Sequence, residues 1–161
     1  MLNRRQGGPS VSVQAMLREA WEDPAWWWIE TILTDFAFLE REYTYRLDEI
    51  FLHFRGDAVR YRGPTWSVRA QYDPDGDYIG LNLMWTADLD RLRAIRMIDV
   101  PRLLASRAPD TDWLPTVPPP LNEALIRSMF HLWSEGLRSL CGDILAGDLP
   151  DDAAKLLSQS M

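Results

Sequence analysis

The stretch YTYRLDEIFLHFRGDAVRYRGPTWSVRAQYDPDGDYIGLNLM, residues 43–84, decides the fold class. Tyr43, Tyr45 and Leu47, then Ile50, Leu52 and Phe54, alternate with polar neighbours, which is the period-two pattern of a half-buried strand with an irregularity near Asp48 and Glu49. Arg55-Gly56-Asp57 marks a turn, residues 58–61 a short strand, and Arg62-Gly63-Pro64 a second turn. Val68, Ala70 and Tyr72 alternate with Ser67, Arg69 and Gln71, and Ile79, Leu81 and Leu83 share one face of the next segment. Between them, Asp73-Pro74-Asp75-Gly76-Asp77 closes a hairpin, because Pro74 presets φ and Gly76 tolerates a positive φ. The expected assembly is a four-stranded antiparallel meander.

Helices flank this sheet on both sides in sequence. After a lead-in at residues 1–9, with Ser10 as a cap, Val13, Met16, Leu17, Ala20 and Trp21 fall at helical spacing. Asp23-Pro24 ends that helix and opens another to about residue 42, with a stripe of Trp28, Ile29, Ile32, Phe36, Leu39 and Tyr43. Beyond the sheet, Leu89, Leu92, Ile95 and Ile98 predict a helix capped by Thr86 or Asp88 and stopped before Pro101. Prolines 109, 115, 118, 119 and 120 make residues 108–120 a stiff connection. A long helix over residues 121–145 follows, with Gly147 past its end, and residues 149–161 form a tail or a short helix. The fold class is α+β: the meander packed by N-terminal helices and a long C-terminal helix, as a single domain over residues 10–148.

Composition narrows the function classes. A chain of 161 residues, 47% hydrophobic and 25% charged, is the size and make-up of one globular domain. No run approaches the ~20 apolar residues that span a bilayer, and the first ten residues lack an apolar signal core, so a cytoplasmic protein without membrane association is expected. The net charge of -7 opposes nucleic-acid binding, which relies on lysine and arginine. The single cysteine, Cys141, has no cation beside it in sequence and reads as a core residue.

Motifs that carry chemistry are sparse, and neither an enzyme nor a cofactor is expected. Asp73, Asp75 and Asp77 alternate as calcium-loop ligands do, but Tyr78 and Met84 stand where that loop needs glycine and glutamate, so the segment reads as a solvated turn. His131 and Glu135 share a helix face without a third ligand, His53 being remote in sequence. The eight tryptophans are more informative. Trp26, Trp27 and Trp28 are consecutive, and successive helical residues point about 100° apart, so all three cannot enter one core. Either Met16, Leu17 and Trp21 cover the surplus, or Trp26 and Trp27 are exposed aromatic anchors of the kind enriched in interfaces. Trp66, Trp85 and Trp113, beside turns, are further candidates.

The runs Phe38-Leu39-Glu40-Arg41-Glu42-Tyr43-Thr44-Tyr45, Val59-Arg60-Tyr61, the segment 68–73 with Ile79-Gly80-Leu81, and Asp143-Ile144-Leu145-Ala146-Gly147-Asp148 resemble small bacterial immunity-protein-type sequences of polymorphic toxin systems. The resemblance covers residues 38–148 and implies a non-enzymatic protein that binds and blocks a toxin. The expected contact set is Trp26, Trp27, Asp57, Trp66, Asp73, Asp75 and Asp77, acids meeting a basic toxin site with aromatics as anchors. Two alternatives stay open. One is a small-molecule domain with an aromatic-lined pocket to which Arg60, Arg69, Tyr45 or His53 brings polar groups; the other is a homo-oligomer that buries the surplus aromatics between copies.

Overall fold

Residues 11–52, 56–73, 78–91, 94–114 and 121–159 are described by a computed structural model, in which the alternating segment forms the expected meander. Its strands are β1 (Arg46–Phe51), β2 (Asp57–Arg62), β3 (Trp66–Asp73) and β4 (Tyr78–Trp85), each antiparallel to the next. The irregularity sits between Leu47 and Glu49, where the β1–β2 register shifts. The lead-in at residues 1–9, the capping Ser10 and the turn residues 74–77 lie outside the described residues.

The sheet is larger than four strands. β5 (Arg96–Asp99) pairs with β4, and a two-residue β6 (Ser158–Gln159) pairs with β5, so among the described residues six strands follow chain order. Where one helix is expected through Ile98, a short α4 (Thr86–Arg91) ends early and the chain turns back along β4. Asp88 fixes the reversal by accepting from the Arg96 backbone N–H at 2.9 Å and from its guanidinium Nε at 2.9 Å. Pairing then places Ile98 opposite Leu83, so an edge strand's unpaired backbone outweighs the local helical spacing. Pro101, expected as a stop, lies in the first turn of α5 (Val100–Arg107), where its missing N–H costs nothing.

Preceding the sheet are α1 (Val11–Trp21), α2 (Trp26–Asp35) and α3 (Phe38–Glu42). Asp23 supports the entry to α2 by accepting from the Ala25 N–H at 2.8 Å. The single helix expected to residue 42 breaks at Phe36 and Ala37. In a continuous helix Phe36 and Phe38 would point about 200° apart; the break lets both be buried and stack at 6.4 Å. After α5 comes α6 (Glu123–Leu140), capped by the Asn122 side chain, which accepts from the Leu125 N–H. It ends at Cys141 and is followed by α7 (Gly142–Leu145), with Gly147 at φ 115° beyond, and by α8 (Asp151–Ala154).

Side-chain parity divides the sheet. Leu47, Ile50, Val59, Tyr61, Val68, Ala70, Leu81, Leu83 and Ile98 lie on one face and join the core. Trp28 is fully buried there, with its ring 5.6 Å from Tyr72 and 6.0 Å from Phe130 of α6. The C-terminal elements are tied down by Arg107 of α5, which donates to Asp143 at 2.8 Å, to Asp152 at 2.7 Å and to the Leu140 carbonyl at 2.6 Å.

That guanidinium holds the Asp143 and Asp152 carboxyls below the usual carboxylate range. Their contribution is therefore complete above about pH 4 and is lost as pH falls through the depressed values. Arg107→Met should destabilise the protein by on the order of 1–2 kcal/mol at neutral pH, allowing for partly exposed partners. Chemical denaturation of both proteins at successive pH values should show the gap narrowing on acidification; a constant gap would mean the clamp is not ionic.

Candidate functional site

The sheet face opposite the helices carries polar side chains in cross-strand register. Glu49, Arg60, Arg69, Asn82 and Asp99 are successive partners from β1 to β5. Each is only partly buried, so this face is open to solvent along the row. Next to it run Ala58, Gln71 and Gly80, again in register, of which Ala58 and Gly80 are buried and Gln71 is partly exposed.

The two arginines of the row differ in their partners. Arg60 is paired: its Nε donates to Asp48 at 2.9 Å and its guanidinium lies 3.1 Å from Glu49. Arg69 has neither a hydrogen bond nor an ion pair among the described residues. Burial is the main cause that pushes its guanidinium pKa below the ordinary value; Arg60 acts in the same direction and Glu49 opposes it.

Arg69 lines a hollow of about 240 Å³ at the end of the sheet where β1 and β3 finish. Phe51, Gln71, Tyr72 and Tyr78 contribute to its wall, as do Asp57 and Asp73. Phe51 and Tyr78 are large side chains left 46% and 51% exposed. The Tyr78 phenol folds back over Gly80, where an added Cβ would meet its oxygen at 2.5 Å. Burial and the neighbouring Asp99 raise the phenol's pKa, which Arg69 opposes. Asp99 in turn has a raised carboxyl pKa, from burial, against the pull of Arg102 at 3.6 Å.

Two of the expected contact residues, Asp57 and Asp73, therefore meet at this hollow, but Asp57 is not the exposed acid expected of a turn. It opens β2, on the same face as Val59 and Tyr61, and is only 9% exposed. Asp75 and Asp77 lie outside the described residues, as does His53. Trp66 is corrected from anchor to core: it is fully buried, its indole N–H donates to the Asp148 carbonyl at 3.2 Å, and its ring is 4.8 Å from Trp85. Trp113 is buried too, with its indole N–H bonded to the Ala108 carbonyl.

Trp27 packs half-buried between Tyr72, at 5.7 Å, and the Arg127 guanidinium, at 5.4 Å, so it supports the hollow from behind through Tyr72. Trp26 stands elsewhere, 5.1 Å from Trp21. Trp21, expected as a cover, is itself the most exposed large hydrophobic side chain described, at 69%.

Metal and thiol chemistry have little to build on here. Among the described residues no three His, Cys, Asp or Glu side chains cluster as metal ligands, and His131 lies 3.4 Å from Asp35. The buried Cys141 thiol is pushed up to about 11, mainly by desolvation, and is protonated at neutral pH. Among the described residues no helix is long and apolar enough to cross a membrane. Compared with protein-family models, with curated proteins and with solved structures, the chain matches none.

Gly80→Ala tests the placement of the phenol. The new methyl collides with a movable ring end rather than with backbone, so Tyr78 should swing into water at little cost in stability. Its ring resonances should then titrate closer to about 10, the ordinary tyrosine value. An unchanged titration would show that the phenol does not rest on Gly80.

Proposed function

We propose that this chain is a non-enzymatic binding protein that recognises a protein partner with the open face of its sheet. The observation that carries the reading is the combination of exposed Phe51 and Tyr78 around an arginine with no partner of its own among the described residues. Aromatic and arginine side chains concentrate binding energy at interfaces, and a half-desolvated cation strengthens any contact that satisfies it.

The resemblance to immunity proteins supplies the partner class: a toxin, blocked in the cytoplasm. The net charge of -7 favours a basic toxin through electrostatic steering, which accelerates encounter more than it raises affinity. Asp73, beside the hollow, brings part of that charge to the same surface. The hollow itself favours a second reading, the capture of a small molecule, because it is concave, partly apolar and holds a few convergent polar groups.

Co-expression with the protein encoded beside this one tests the first reading. Wild-type chain should restore colony formation. The Phe51→Ala/Tyr78→Ala double variant should retain its melting temperature but bind about 30-fold more weakly, the loss typical of hot-spot truncation. A toxic neighbour that kills equally with and without this chain, or a double variant that rescues fully, would contradict the assignment.

A further inference from the structure

We infer that the hollow beneath Tyr78 is a binding site for a monocarboxylate attached to an apolar body, with the Arg69 guanidinium as its charge partner. This does not depend on the identity of the protein partner: the carboxylate belongs either to a free small acid or to a peptide, and the shared chemistry is a single carboxylate beside an apolar group.

Three features of the fold lead there. The first is the arithmetic of charges across the sheet. The bulge between Leu47 and Glu49 gives β1 two consecutive carboxylates, Asp48 and Glu49, and both are taken by Arg60. Arg69, the next residue in the row, is left half-buried with no carboxylate of this chain in contact among the described residues. An isolated cation that has lost part of its hydration is unfavourable unless an anion completes it, and a guanidinium presents a planar fork that fits a carboxylate with two parallel hydrogen bonds.

The second feature is the lining. Gln71 offers an amide donor next to Arg69 on the same face, while Phe51 and Tyr78 supply aromatic wall. A polar end and an apolar side within one hollow select an amphipathic ligand. At about 240 Å³ the space lies below the roughly 300–1,000 Å³ of sites for drug-sized molecules, which suits a small acid or one peptide residue.

The third is what the wall excludes. Asp57 and Asp73 line the same hollow, so the guanidinium is not part of a wholly positive surface. A single guanidinium can neutralise one negative charge, whereas a phosphate dianion would be left half-compensated, because the neighbouring Arg60 is already paired with Asp48 and Glu49. The burial that depresses the Arg69 pKa makes an incoming carboxylate more favourable, because the interaction is less screened than at an exposed site.

The experiment titrates the full chain with 3-phenylpropionate, its neutral amide, inorganic phosphate, and N-acetyl-Gly-Gly-Phe with a free C-terminus, following the Arg69 Nε–H resonance and the melting temperature. The expected result is saturable, millimolar or tighter binding of both acids, with a shifted Arg69 signal, at least tenfold weaker binding of the amide, and weaker binding of phosphate. Tighter binding of the peptide than of phenylpropionate points to a peptide terminus as the natural source, and the reverse to a free acid.

Two variants separate the site from mere stability. Arg69→Gln should melt no lower than wild type, since it removes a half-buried cation with no partner among the described residues, and should bind neither acid. Arg69→Lys keeps the charge without the fork and should bind at intermediate strength. The inference is overturned if acid and amide bind alike, if phosphate binds as tightly as the acids, if no acid binds at millimolar concentration, or if Arg69→Gln unfolds readily because the arginine is a structural tie.

Discussion

Successive residues of a strand must point to opposite sides of the sheet, and the organisation of this molecule follows from that constraint as it acts on β3. Val68, Ala70 and Tyr72 go to the helix-covered side, where Trp28 of α2 and Phe130 of α6 complete the core. Ser67, Arg69, Gln71 and Asp73 are thereby committed to the other side. A slip of one residue would bury an arginine and expose Val68 and Ala70, so the register is strongly specified. Position in this strand also decides what is available for recognition: the polar row exists because the apolar one is needed elsewhere.

The same parity explains how far the sequence was legible. The meander was readable because four segments alternate and are separated by turn residues; even the bulge was visible as the break between Leu47 and Ile50. β5 was not, because Leu89, Leu92, Ile95 and Ile98 satisfy a helical period, and only the available edge of β4 and the Asp88–Arg96 contact favour extended backbone. The break in the expected second helix is hidden for a related reason: periodicity does not register that Phe36 and Phe38 can both be buried if the helix is interrupted.

At the site, turn chemistry and strand alternation point in different directions, and alternation decides. Asp57 looks like a turn aspartate, yet it is in phase with Val59 and Tyr61 and so faces the buried side. Trp66 is in phase with Val68 and Ala70 and is buried for the same reason. Phe51, Tyr78 and Arg69 were visible as outward positions, but their meeting in one hollow depends on register between three strands. That Arg69 lacks a partner among the described residues depends further on the bulge, which hands both neighbouring carboxylates to Arg60. No local reading of residues 66–73 contains that information.

Recognition requires β3 to be sealed on one face and open on the other from Arg69 to Asp73, Ser67 at its start being fully buried, and thiol labelling of the native protein at two adjacent positions tests this most directly. Cys141 is buried and protonated, so it adds little background. With single cysteines introduced as Ala70→Cys and Gln71→Cys, the second should react in the native state well before unfolding and the first only at the rate of unfolding. Equal rates at the two positions would mean that both faces are covered or both are open, and the recognition surface described here would not exist.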